Sequence, residues 1–306
     1  MTAKNDSKCS DADAGNETGA ELLAEGFALL RNAGGAERRR DARLDVELLL
    51  AHAIGVPRAV LERQARVASK TATHYRTLLA RRARGEPIAY LLGEWEFYGI
   101  SFAVSPAVLV PRPETELLVD WALEHLRNRA ETVRIADLGT GSGCIAIAIA
   151  LELSRAEVHA TDISEDALAV ARQNVARHGL GARVRLYQGD WLAPLTPPFD
   201  LIVSNPPYVA RNDSKLSADV ARFEPAGALH DSDGDGLGAY RRLANDVGRY
   251  LSHAGAGVLV EVGEDQAPQV TRIFAAAGFR TTVRRDLAGI ERALLCQRVG
   301  VGIDAG

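Results

Sequence analysis

The period of the apolar positions changes along this chain, and the change divides it. From Val133 onward, short apolar runs alternate with longer stretches of helical period. Val133–Leu138, Glu157–Thr161, Arg183–Gln188, Leu201–Val203 and Val258–Val262 have strand length and strand composition. Between them, Cys144–Leu153, Ala167–His178, Ala239–Leu251 and Gln266–Ala277 carry helical spacing, and Ser164-Glu165-Asp166 supplies capping signals for the second of these. Phe279–Arg285 and Arg292–Cys296 then follow as two strands joined by a link too short for a crossover helix, which predicts an antiparallel edge pair. The alternation predicts an α/β fold: a doubly wound, mostly parallel sheet of seven strands with one antiparallel edge.

Upstream the pattern is helical. Leu22, Leu23, Phe27, Leu29 and Leu30 precede a charged break at Gly34–Arg40, and Leu44, Val46, Leu48, Leu49, Leu50 and Ile54 run to the helix stop Gly55-Val56-Pro57. Val60–Arg66 and Thr73–Arg84 read as further amphipathic segments. No catalytic cluster appears here, so a small helical domain that recognises a partner or acts as a lid is expected. At Glu86–Glu116 the composition turns aromatic and β-branched (Trp95, Phe97, Tyr98, Ile100, Phe102, Val104) around Gly99, which predicts a β-hairpin linker. Pro113 suits a first helical turn, with Glu114 and Glu116 complementing its dipole. The expected division is a disordered tail over 1–18, a helical domain over 19–92, the hairpin linker over 93–112, the α/β domain over 113–298 and a flexible terminus over 299–306.

Charge and cysteines narrow the function. The 306 residues carry a formal net charge of −4, so no global electrostatic footprint of a nucleic-acid binder is present. The excess of Lys and Arg within 21–90 is as well explained by solvated helix faces as by an acidic partner. Cys9, Cys144 and Cys296 form no close pair, which argues against both a disulfide framework and zinc. No apolar run reaches membrane-spanning length. A cytoplasmic protein with no metal is expected.

The candidate chemistry sits where strands end, the usual place for ligands of open α/β sheets. Val133–Leu138 runs into Gly139-Thr140-Gly141-Ser142-Gly143, a loop whose glycines let backbone N–H groups approach a ligand. Asp137 stands before it, placed to meet a cationic group, and Cys144 after it, read as a packing residue. Asp162 ends the second strand, where a carboxylate takes both ribose hydroxyls of a nucleoside. Asp190 and Trp191 end the third, suited to accept from an adenine amino group and to stack on its ring. Leu201–Val203 ends in Asn205-Pro206-Pro207-Tyr208. Two prolines stop the strand and stiffen the turn, leaving an amide and a phenol to grip a planar nitrogen: Asn205 and a turn carbonyl accept its hydrogens while the Tyr208 ring covers it. Arg112 and Glu114 either face this cleft or organise the turn they occupy. The acidic loop Asp231–Gly236 lacks the spacing of an EF-hand and reads as a surface turn.

The series D-L-G-T-G-S-G (137–143), T-D (161–162), G-D-W (189–191) and N-P-P-Y (205–208) resembles class I S-adenosylmethionine-dependent methyltransferases with their Rossmann-like sheet. E-P-I-A-Y-L-L-G (86–93), L-V-P-R-P-E-T-E (109–116), S-N-P-P-Y-V (204–209) and R-F-E-P (222–225) narrow the resemblance to the PrmC/HemK family over about residues 20–298. That resemblance implies N5-methylation of the glutamine in the Gly-Gly-Gln loop of peptide chain release factors, with S-adenosylmethionine as methyl donor and S-adenosylhomocysteine as product. It implies cofactor contacts at Gly139 to Gly143, Asp162, Trp191 and Asn205, and catalysis on Asn205, Pro206 and Tyr208. The substrate would rest on Asn205-Pro206-Pro207-Tyr208, with Arg112 and Glu114 beside it. A monomer is expected, binding a release factor and holding no nucleic acid stably. Methylation of a ribosomal-protein glutamine or of a nucleic-acid amino group is the alternative. A nicotinamide oxidoreductase would share the glycine loop and Asp162 but leave the Pro-Pro turn and Trp191 without purpose.

Overall fold

The computed structural model describes residues 17–33, 36–253 and 255–298. The expected tail up to residue 16 and the terminus 299–306 lie outside the described residues, as do Gly34 and Gly35 of the expected charged break. The chain forms two compact units, Met1–Leu92 and Gly93–Gly306.

The first unit contains strand β1 (Glu17–Thr18), helices α1 (Gly19–Asn32) and α2 (Ala36–Ile54), strand β2 (Arg66–Val67) and helices α3 (Ser69–Ala83) and α4 (Ile88–Leu92). Thr18 starts α1 with a capping box: its hydroxyl accepts from the Glu21 N–H at 3.3 Å, and Glu21 accepts from the Thr18 N–H at 2.7 Å. Leu22, Leu30, Leu49, Leu50, Tyr75 and Leu79 form its core. Two expectations need correction. Ala36–Arg40 is already helical, because Glu and Arg are good helix formers and charge alone does not break a helix. Val60–Arg66 is not a helix, since its carbonyls are used elsewhere: Arg63 and Ala65 accept the first N–H groups of α1 at 2.6 and 3.0 Å, and β2 pairs with β1.

The second unit opens with a hairpin, β3 (Glu94–Phe97) against β4 (Ile100–Ala103), turned by Tyr98 and Gly99, both at positive φ. Helix α5 (Glu116–Leu126) leads into the sheet. Strands β5 (Val133–Leu138), β6 (Ala156–Asp162) and β7 (Val184–Gln188) alternate with α6 (Cys144–Glu152) and α7 (Glu165–Arg177). After β8 (Leu201–Ser204) come the short helices α8 (Ala218–Phe223) and α9 (Ala226–Leu229), then α10 (Gly238–Asp246), β9 (Gly257–Glu261), α11 (Ala267–Ala276), β10 (Phe279–Arg285) and β11 (Glu291–Arg298). The seven strands order as β10-β11-β9-β8-β5-β6-β7, parallel from β9 to β7, with β11 antiparallel to both β9 and β10. The doubly wound sheet and its antiparallel edge are as expected. The helix expected over Ala239–Leu251 is shorter and ends in the 3-10 turn Val247–Arg249.

Both faces of the sheet are covered, which is why β8 is buried at every position and apolar up to its last residue, Ser204. Leu201 and Val203 pack with α5 and α6 on one face; Ile202 packs with α10 and α11 on the other. Helix α6 lies deep enough that Cys144 through Ala150 are all buried, so its sequence shows no polar stripe. Among the described residues no helix is long and apolar enough to cross a membrane.

Candidate active site

The sheet winds in opposite directions from β5: onward through β6 and β7, and back across to β8 and β9. The carboxyl ends of β5 and β8 therefore flank a topological switch point, the crevice where ligands of such sheets bind. A cavity of about 460 Å³ opens there, a size suited to a small-molecule cofactor. Its walls come from the loops after β5, β6, β7 and β8, from Ala107–Arg112, and from the segment that includes Gly227–Ser232.

Of the residues expected at the site, Gly139, Thr140, Gly141, Ser142, Asp162, Asp190, Trp191, Asn205, Pro207 and Arg112 line this cavity. Gly143, Pro206, Tyr208 and Glu114 do not. Gly143 is the left-handed N-cap of α6, Pro206 is buried, Tyr208 packs into the core beneath the turn, and Glu114 is exposed.

Gly139 and Gly141 have φ of 71° and 55°, a region other residues avoid, and a Cβ on either would meet no protein atom within 4 Å. The missing side chains leave backbone facing open space. Asp162 is held at the tip of β6, its Oδ2 accepting from the Gly141 N–H and its Oδ1 from the Ser164 N–H, both at 2.9 Å. One acidic tip thus fixes the loop of its neighbour. Asp137 lies behind the loop, 1% exposed, and accepts from the Thr140 hydroxyl at 2.6 Å. Burial pushes its carboxyl up to about 7, with the Thr140 hydroxyl and the Ala146 N–H pulling the other way. Burial likewise pushes the Cys144 thiol up to about 12, which keeps it neutral and unreactive at pH 7.

Asp190 forms an ion pair with Arg242 of α10, and both line the cavity. Trp191 follows at φ 51°, a conformation that turns the chain at the end of β7. The sequence reading missed Arg242, because nothing in a helix-spaced Arg-Arg pair marks one as facing a ligand. It also left the R-F-E-P run without a role. Glu224 proves to be buried, its side chain 1% exposed, accepting from the Val110 N–H at 3.2 Å and from Arg112 at 2.5 Å. This pair ties the segment after α8 to the segment before Pro113, and both line the cavity. Arg112 therefore serves the turn as well as the cleft.

Behind the proline turn lies another buried carboxylate. The Asn205 Nδ2 donates to the Thr115 hydroxyl at 3.1 Å, and that hydroxyl donates to Glu261 Oε2 at 2.6 Å. Tyr208 donates to the other oxygen, Oε1, at 3.3 Å, and the Tyr240 hydroxyl donates to the Glu261 backbone carbonyl at 2.8 Å. Glu261 is 1% exposed, and burial pushes its carboxyl up to about 7 against the pull of Thr115, Arg292 and Tyr208. Tyr208 and Tyr240 are raised as well, chiefly by burial, so both stay protonated donors. Thr115 and Glu261 carried no sequence signal of their own: one sits inside a turn motif, the other ends an apolar strand.

The acidic loop after α9 is internally satisfied. Asp231 accepts from the N–H groups of Gly234, Gly236 and Gly238, and Arg241 pairs with Asp233 and Asp235.

Comparison with known proteins places both units. The family described as PrmC N-terminal domain matches residues 21–93, and the family described as Methyltransferase small domain matches residues 115–237. The release factor glutamine methyltransferase of Bordetella pertussis is 49% identical over 256 residues, covering 82% of this chain and 93% of that protein. The release factor glutamine methyltransferase of Burkholderia pseudomallei is 45% identical, covering 82% of this chain and 90% of that protein. The hMettl16 catalytic domain, solved in complex with MAT2A 3'UTR hairpin 1, superimposes with a TM-score of 0.55 at 16% identity, over 73% of this chain and 82% of that one; the likeness is one of fold alone.

Proposed function

This chain belongs to the release factor glutamine methyltransferase family, and on that footing we propose that it transfers a methyl group to the side-chain amide nitrogen of the glutamine in the Gly-Gly-Gln loop of peptide chain release factors, in the cytoplasm. The observation that carries the reading to the site is Asn205. Its side chain lines the cavity at the end of β8 with its NH2 already committed to Thr115, so its carbonyl oxygen is the end left to accept a hydrogen bond.

The residues present fit S-adenosylmethionine. Side-chain-free backbone at Gly139 and Gly141 makes room beside the amino end of α6, and the half-buried Asp162 carboxylate and the Trp191 ring suit the ribose and base of a nucleoside. Bound there, the cofactor supplies an electrophilic sulfonium methyl. No metal ligand is required by this reading.

The protein's own task is orientation. A carboxamide nitrogen is a poor nucleophile because its lone pair is delocalised into the carbonyl. Asn205 Oδ1 accepts one N–H of the substrate amide and a carbonyl of the Pro206-Pro207 turn accepts the other, which turns the nitrogen face toward the methyl donor. With a donor held by these residues, the methyl–nitrogen bond would form as the carbon–sulfur bond breaks, and the nitrogen proton, acidic once that bond forms, would leave to water. Holding reactants in such a pose contributes up to roughly 7–11 kcal/mol in favourable cases. The Tyr208 ring packs under the turn and stiffens it.

The test is methyl transfer from labelled S-adenosylmethionine to a purified release factor, beside the same factor with its Gly-Gly-Gln glutamine replaced by alanine. Label on the unaltered factor alone is expected. Label on both, or on neither while cofactor binding is intact, refutes the substrate assignment. Asn205→Ala is expected to cut turnover sharply, to a residual rate that can still be measured, while S-adenosylmethionine still binds.

A further inference from the structure

We propose that Thr115 and Glu261 are positioning residues that fix the polarity of the Asn205 side chain, so that it presents its carbonyl oxygen rather than its NH2 to the substrate. The inference rests on the reading of Asn205 given above.

An asparagine amide has two ends of nearly equal size and opposite hydrogen-bonding character, so a half-turn about its last torsion converts an acceptor into a donor. A substrate amide that must be gripped through its N–H groups tolerates only one of the two. The structure settles which by proton count. Thr115 is 2% exposed and its hydroxyl holds a single hydrogen, which goes to Glu261 Oε2 at 2.6 Å. Only lone pairs remain to face Asn205, and the one end of an amide that can meet a lone pair is the NH2, found there at 3.1 Å. Were Asn205 turned over, two oxygen lone pairs would oppose each other in a partly buried place, at the cost of an unmade hydrogen bond on the buried Thr115 side.

Glu261 makes this arrangement directional. Its Oε1 takes the Tyr208 hydroxyl, and its backbone carbonyl takes that of Tyr240, so every hydroxyl around it points inward. In its ionised form Glu261 accepts only, and an acceptor at this position forces the Thr115 hydrogen away from Asn205. The chain of hydrogen bonds thus reads in one sense from the cavity to the end of β9.

Hydroxyl and packing roles for Thr115 predict opposite orders of activity. Valine keeps the shape and removes the hydroxyl; serine keeps the hydroxyl and leaves a methyl-sized gap. With the full-length protein, a purified release factor and calorimetric titration of S-adenosylmethionine, Thr115→Val is expected to lower kcat about ten- to hundredfold with cofactor affinity unchanged. Thr115→Ser is expected to stay near wild type. On an Asn205→Ala background, Thr115→Val should cost nothing further, because its effect passes through the amide. If the valine protein fails to fold by circular dichroism, Thr115→Ala, which makes no steric demand, carries the same comparison. Valine turning over as well as serine, or an undiminished further loss on the Asn205→Ala background, overturns the proposal while leaving Asn205 its role. Normal turnover by Asn205→Ala itself overturns both.

Discussion

Replacing Glu261 by glutamine isolates the energetic consequence of burying its charge. Gln keeps the shape, its carbonyl able to accept from Thr115 and its NH2 able to face Tyr208, so packing is preserved and ionisation is lost. The ordinary glutamate value is 4.5 and the buried carboxyl stands at about 7. A carboxyl whose folded value is raised binds its proton more tightly in the native state. Its stabilising contribution is complete below pH 4.5 and disappears as pH rises through about 7. Each pH decade of that interval is about 1.4 kcal/mol, so the contribution lost is on the order of 3 kcal/mol. Glutamine at position 261 makes no such loss over the same range. Urea unfolding of both proteins without cofactor, at pH 5 through 8.5, should show the variant gaining on the wild type by about that amount as pH rises. Asp137 titrates in both and cancels. A stability difference that stays flat with pH, or that moves in favour of the wild type at alkaline pH, would refute the reasoning that burial outweighs Arg292 and the two hydroxyls at this site.

Glu224→Ala leaves Arg112 and the Val110 N–H without their shared acceptor; because Arg112 is one-third exposed the stability loss should be about 2 kcal/mol rather than the larger cost of a fully buried pair. Both tied segments line the cavity, so S-adenosylmethionine affinity by calorimetry should fall as well, and unchanged affinity would mean the tie has no bearing on the site. Gly141→Ala forces φ of 55° on a residue with a Cβ, costing about 1 kcal/mol of stability, and it puts a methyl group into the cavity, so cofactor affinity should suffer more than urea stability does. The reverse order would argue against cofactor at that loop.

Much of the fold was legible because period carried it. Strands β5 and β8 declare themselves by short β-branched runs with abrupt polar ends, and α7 by its Ser164 cap, which accepts from the Ala167 N–H at 3.2 Å. The first unit was less legible where two signals conflicted. Charge suggested a break at Ala36–Arg40 where helix propensity prevailed, and apolar spacing suggested a helix at Val60–Arg66 where backbone pairing with the start of α1 prevailed. Glycine is a poor helix former, yet Gly238 opens α10. It is required there: a Cβ would stand 2.6 Å from Asp231 Oδ2, which takes the Gly238 N–H at the same distance. At the site, strand-end residues were readable because topology brings strand ends together, whereas Thr115, Glu224, Arg242 and Glu261 come from elements whose meeting depends on tertiary packing.

Two of the buried carboxylates share a plan. Asp137, at the end of β5, accepts from Thr140, and Glu261, at the end of β9, accepts from Thr115, each at 2.6 Å, and in each case the threonine rather than the acid lines the cavity. The acids stand one layer back, where they polarise a hydroxyl without presenting an oxygen nucleophile to the reaction space; a bare carboxylate beside an electrophilic methyl would compete with the amide for it. The plan makes a specific demand on Asp137. Its carboxyl stands at about 7 although the Thr140 hydroxyl favours the charged form, so Thr140→Val, which removes that donor while filling the same space, must raise it further. Carbon-13 titration of labelled aspartates in the cofactor-free protein follows this directly. A carboxyl that titrates at an unchanged or lower pH in the valine protein would show that the hydroxyl does not support the buried charge.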